Sequence, residues 1–114
     1  MRLKSVLWVA AYLRRCQVEG CSAVVRRRGA EEAGAIFVRI SRLDGTSELF
    51  GPAPQSALEP GATDRIFAAC LASQPAPDPE VEKYLSRETK FDSDLWIVEV
   101  EDRAGRNFLN IVRN

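Results

Sequence analysis

Apolar side chains recur at helical spacing near the start of the chain. At about 100° per residue, Val6, Val9, Ala10, Leu13 and Cys16 share one face. Ser5 stands where an N-cap is expected and Gly20 where the helix should stop, so the pattern predicts a helix to about Val18. Lys4, Trp8, Ala11 and Arg15 form a second stripe, which leaves a tryptophan off the core face. The period then falls to two. Ala23, Val24 and Val25 begin a short strand that runs into Arg26, Arg27 and Arg28 and ends at a turn bracketed by Gly29 and Gly34. In 35–43, Ile36, Val38 and Ile40 alternate with Phe37, Arg39 and Ser41, the mark of a half-buried strand. Asp44-Gly45 signals a hairpin to a partner strand over 47–50. These three strands are expected to form an antiparallel meander.

Pro, Gly, Ala and Ser dominate from Gly51 to Thr63, where a loop is expected. Residues 64–71 read either as a helical turn or as a short strand, and the alternation of Ile66, Ala68 and Cys70 favours the strand. After a second loop, Asp78-Pro79 opens a helix predicted over 78–90, with Val81, Tyr84 and Leu85 as its buried stripe. Residues 95–102 form the clearest late strand: Trp96, Val98 and Val100 face one way, Ile97, Glu99 and Glu101 the other. Gly105 is expected to be left-handed in a hairpin loop, with Phe108–Val112 returning as the last strand. The expected architecture is α+β, one domain over residues 1–114. It is an antiparallel sheet of five to six strands with both helices, the N-terminal one and 78–90, packed on one face.

Composition changes this picture mainly by exclusion. The 114 residues are long enough for one core without a metal or a disulfide. There is no histidine, which removes Ser–His and Cys–His couples and the commonest transition-metal ligand. Cys16, Cys21 and Cys70 are an odd number without a C-x-x-C pair, as in a reduced cytoplasmic protein. Cys16 and Cys70 fall on core faces, and Cys21 is the thiol expected to be exposed. Arg2 and Lys4 before the apolar run Val6–Leu13 imitate a signal peptide, but the run stops at Arg14-Arg15 with no small-residue cleavage site. No stretch has the roughly 18 apolar residues of a membrane span. A cytoplasmic location, no membrane association and no cofactor are expected.

Sixteen basic side chains balance sixteen acidic ones. They are unevenly placed: residues 1–57 hold nine basic and five acidic groups, net +4, and 58–114 hold seven and eleven, net −4. Arg14, Arg15, Arg26, Arg27, Arg28, Arg39 and Arg42 are all arginine, whose fork suits phosphate or carboxylate. One reading is an anion or RNA surface built from Arg15, Arg26, Arg28 and Arg39 with Trp8 or Phe37 to stack on a base. The other, which the opposite halves favour, is an ion-pair ladder on an open sheet face, with Arg26, Arg28 and Arg39 against Glu48, Glu99 and Glu101. Glu99, Glu101 and Asp102 could also be catalytic carboxylates or a hard-metal site, but a solvated strand face is favoured because no other segment supplies converging oxygens. Gly29 and Gly34 do not make a phosphate loop, since their segment joins two strands and carries Glu31 and Glu32. On the first helix, Lys4, Leu7, Trp8 and Ala11 are the candidate dimer face. The alternative is that they are covered by the C-terminal hairpin or the 51–63 loop.

Several segments taken together resemble a family of small alphaproteobacterial proteins of unknown function. They are LWVAAYLRR (7–15), RRGAEEAGAIFV (27–38), Leu43-Asp44-Gly45, Gly51–Gln55 and DSDLWIVEVEDRAGR (92–106). The resemblance runs in order along nearly the whole chain. It implies a stand-alone cytoplasmic domain and assigns no catalytic residue. The residues themselves, not the resemblance, lead to the expected function: a non-enzymatic binding module that self-associates as a homodimer, its useful surface combining Trp8 with the arginines, with an unidentified protein as a further partner. The alternatives are an RNA- or anion-binding accessory protein, with nucleic acid disfavoured, and a small carboxylate/arginine enzyme acting on an anionic metabolite.

Overall fold

The computed structural model describes residues 3–54 and 65–112. In chain order the elements are α1 (Ser5–Val18), β1 (Ser22–Arg27), β2 (Ile36–Ser41), β3 (Thr46–Pro52), β4 (Phe67–Ala69), β5 (Ala76–Pro77), α2 (Asp78–Phe91) and β6 (Trp96–Glu101). The sheet runs β1-β6-β2-β3-β4, with β5 also pairing β3. The expected β2–β3 hairpin forms, in register from Val38 opposite Phe50 to Ser41 opposite Ser47. The meander does not. β6 inserts between β1 and β2, antiparallel to the first and parallel to the second, so the sheet is mixed rather than antiparallel. With both edges of β6 occupied, the C-terminal segment cannot return beside it as a hairpin. Instead Ile111 bridges in parallel to Phe67 at the far side of the sheet, held by Phe67 N–H to Asn110 O and Val112 N–H to Phe67 O, both 2.8 Å. Within 64–71 the strand alternative holds at Phe67–Ala69; residues 55–64, including most of the expected 51–63 loop, lie outside the described residues.

The two helices lie on opposite faces, not on one. Val9, Tyr12 and Cys16 of α1 pack on Ile36, Val38, Ile40, Phe50, Phe67, Trp96, Val98 and Val100. Val81 and Leu85 of α2 pack on Phe37, Leu49, Leu95 and Ile97 across the sheet. The reason is visible in the central strands. β2 and the start of β6 are apolar on both faces, so both faces need cover.

The ends of α1 are closed by backbone rather than by Ser5. Lys4 occupies the N-cap position and makes no side-chain cap. Ser5 N–H and Val6 N–H instead donate to the carbonyls of Glu32 and Glu31 at 3.0 and 2.9 Å, while the Ser5 hydroxyl donates to Gly34 O at 2.7 Å. That turn is pressed against the start of β6: a Cβ at Gly29 or Gly34 would run into the Asp94 carbonyl. At the other end Gly20 is left-handed at φ +83°. Gly20 N–H meets Gln17 O at 3.0 Å and Cys21 N–H meets Cys16 O at 2.9 Å, the paired bonds of a Schellman closure. This closure carries Cys21 inward, so the thiol expected at the surface is buried. The buried face of α1 is also turned from the expected one. Ala10 is exposed and Tyr12 is buried in its place.

Candidate functional site

Arg39 is the centre of the most constrained polar cluster. Alternation along β2 puts it on the α2 face, and α2 lies over it, leaving its side chain 9% exposed. Its Nε donates to Ser47 Oγ at 3.0 Å. Its terminal nitrogens meet Asp78 Oδ1 at 2.9 Å, Glu82 Oε1 at 2.7 Å and Glu99 Oε1 at 2.6 Å. The Ser47 hydroxyl donates to Asp78 Oδ1 at 2.6 Å, and Arg26 grips Glu82 with two bonds of 2.7 and 2.6 Å. Two cations, from β1 and β2, are thus held by three carboxylates, from β6 and the first turns of α2. Asp78 and Glu82 sit four residues apart and therefore on one side of α2.

The other expected site residues are scattered. Arg28 pairs with Glu31 at 3.3 Å and lies 5.2 Å over the Trp96 ring. Arg42, not Arg39, pairs with Glu48, at 3.0 Å. Arg15 meets Glu19 at 3.5 Å and covers the Phe108 ring at 5.1 Å. Of the ladder read from sequence, the Arg39–Glu99 rung is present, whereas Glu101 has no ion pair among the described residues. The face is not open, because α2 covers part of it. Phe37, the other stacking candidate, is buried under α2. Trp8 is half-buried and turned inward, stacked on Tyr12 (centroids 4.9 Å, planes 12° apart) and against Phe67 (5.2 Å). Lys4, Leu7 and Ala11 do face outward, with Leu7 53% exposed. Asp78 and Glu82 were missed as site residues. Their signal, two acids four apart opening a helix, reads as solvated surface unless the helix is known to cross the strand that bears Arg39.

Electrostatics reinforce the locking. The bidentate Arg26 bond holds the Glu82 carboxyl below its ordinary value of 4.5, and the bonds from Arg106 do the same for Asp102. A carboxylate lowered in the fold stabilises it fully above its unfolded pKa, and that stability is lost as pH falls through the lowered folded value. The thermal midpoint is therefore expected to fall on acidification below about pH 4.5, and Glu82→Gln should flatten the dependence. A scan of melting against pH that is identical for the variant and the parent would contradict this.

A second polar cluster joins the end of α1 to the C-terminal segment. The Cys21 thiol faces Asp102 Oδ1 at 3.7 Å, and Arg106 Nη2 donates to Cys21 Sγ at 3.3 Å. Burial, with Asp102 beside it, pushes the thiol up, and Cys70 is pushed up to about 12 by burial. Both are thereby kept as thiols rather than nucleophilic thiolates. Among the described residues no group of three or more Cys, Asp or Glu side chains is arranged to hold a metal ion. Two grooves open on the α2 side. One of about 280 Å³ is lined by Ser22, Val24, Ser41, Glu99 and Glu101. The other, about 350 Å³, has Leu85 and Ile97 as apolar lining, with Ser86, Thr89, Arg26, Glu82 and Lys90 around it. No helix among the described residues is long and apolar enough to cross a membrane.

Fold and site together define a small α+β domain, a mixed six-stranded sheet with one helix on each face and a carboxylate-locked arginine beneath the second. The chain belongs to a family of proteins of unknown function (DUF1491), whose profile matches residues 3–110. It is similar to the solution structure of protein Atu0922 from A. tumefaciens, at 43% identity over 100% of this chain and 98% of that one, TM-score 0.83. It is also similar to a DUF1491 family protein from Caulobacter crescentus CB15, whose crystal structure matches at 35% identity over 97% and 98% of the two chains, TM-score 0.79. The resemblance read from the sequence thus holds along the whole chain. No curated protein matches the sequence significantly.

Proposed function

We propose that this chain is a cytoplasmic, non-enzymatic interaction module that self-associates. The observation that carries the reading is a contrast between its charged and apolar surface groups. Arg15, Arg26, Arg28, Arg39 and Arg42 are each paired with a carboxylate of the same chain, so they offer little charge to an anionic ligand. Large apolar side chains are left outside instead: Leu3, Leu7 and Val18 around α1, Val24 on the edge strand β1, and Phe91 at the end of α2. Exposed apolar groups bordered by charge are what an association surface presents. The anion-binding and RNA-binding readings are less well supported, since they need an unpaired basic face and the arginines named for it are each paired, with Trp8 stacked inward away from them.

The test is sedimentation velocity of the purified chain across the micromolar range. A concentration-dependent shift from monomer to dimer is expected. A single monomeric species throughout would remove the reading.

A further inference from the structure

We propose that two copies grip one another through Phe91, each ring seated in the groove between α2 and β1 of the other copy. The inference rests on the self-association reading and names its contact.

Phe91 is the last residue of α2 and is 89% exposed, more than any other large apolar side chain described. None of the described residues covers the ring, and a second molecule can bury it. The groove of about 350 Å³ lies immediately beside it. Leu85 and Ile97 supply apolar surface, Ser86 and Thr89 are small enough to leave room, and the volume exceeds that of a phenyl ring. Thr89 and Lys90, which line the groove, directly precede Phe91 in the chain. Knob and hole are therefore neighbours on one end of one helix. A single two-fold axis beside that end can place each ring in the partner's groove, a self-complementary contact that closes at two copies.

The charges fit the same arrangement. On the rim of the groove Arg26 is already held by Glu82, whereas Lys90 has no ion pair among the described residues. The residues that follow Phe91 are Asp92, Ser93 and Asp94, and neither aspartate is in an ion pair among the described residues. About a two-fold axis the acidic segment behind each ring meets Lys90 on the rim of the other groove, which fixes register and suppresses other pairings. The outer face of α1 is a weaker seat for a second copy. Its exposed Leu7 and Val18 have Arg14 between them, and Trp8 points inward.

The experiment measures the dimer dissociation constant of the full chain by sedimentation, for the parent and three variants at exposed positions. Phe91→Ser removes the knob, Ser86→Tyr fills the hole, and Leu7→Asp charges the face of α1. Phe91→Ser and Ser86→Tyr are each expected to raise the dissociation constant roughly thirty-fold, as for a central aromatic anchor. Far-UV circular dichroism should be unchanged, and Leu7→Asp should dimerise like the parent. If Phe91→Ser or Ser86→Tyr dimerises as the parent does, the inference is wrong. Dissociation by Leu7→Asp alone would then leave the self-association reading in place on α1, whereas a monomeric parent would remove both.

Discussion

Replacing Arg39 by leucine is expected to destabilise the fold by about 3 kcal/mol, the lower part of the range for breaking a buried ion pair. The cost comes from what is left behind. Without the guanidinium, Asp78, Glu82 and Glu99 converge on one space beneath α2, and Ser47 loses the donor on its oxygen. Glu82 keeps Arg26, and the three carboxylates are each about a third exposed, so water and rearrangement soften the repulsion. Removing the charges together should be much milder. Arg39→Met combined with Asp78→Asn and Glu99→Gln is expected to recover most of the loss, because Glu82 keeps Arg26 and no uncompensated ion is left. Urea unfolding midpoints at neutral pH measure both. A combined variant no better than Arg39→Leu would mean that packing of the arginine stem, not its charge, holds α2 to the sheet.

Trp96→Ala is expected to cost about 3–5 kcal/mol, the range for truncating a large aromatic in a core. Trp96 is 1% exposed at the start of β6, in the cluster that α1 covers. Its indole N–H also donates to Ala30 O at 2.8 Å, tying the 29–34 turn to the sheet. That turn in turn receives the first N–H groups of α1 through Glu31 and Glu32. One side chain thus links the core, the turn and the start of the helix. Trp96→Phe keeps most of the volume and loses the hydrogen bond, so it should cost about 1–3 kcal/mol, the penalty for leaving the Ala30 carbonyl without that donor. Chemical denaturation distinguishes the two. Equal losses for Phe and Ala would place nearly all of the effect in the hydrogen bond.

These two side chains also show how far each level of information reaches. Trp96 was assigned to the correct strand face by alternation alone, as were Arg39 and Glu99. The β2–β3 hairpin, the helix over 5–18 with its stop at Gly20, the left-handed Gly105, and the opening of α2 near Asp78-Pro79 were equally legible. All of these depend on neighbours a few residues apart, and backbone preference and side-chain period act at that range. The signal of a doubly covered sheet was present as well, since Ile36–Val38 and Leu95–Val98 are continuous apolar runs rather than strict alternations. Read one face at a time, such runs still predict both helices on the same side.

Strand order and the pairing of charges were decided only by the tertiary structure. β6 lies between β1 and β2 although some fifty residues separate it from β2 in the chain, and no local pattern distinguishes that place from an edge. Once it is there, the C-terminal segment is displaced to Phe67 and α2 is carried over Arg39. The same holds for the candidate site. Residue types and faces are properties of each strand or helix, and so could be read in advance. Which carboxylate reaches which guanidinium, and which aromatic is stacked inward or left outside, depends on distances between segments remote in sequence. Trp8 looked like the exposed anchor because its helix was viewed alone; Tyr12 and Phe67 close over it, and Phe91, unremarked in the linear pattern, is the ring that remains outside.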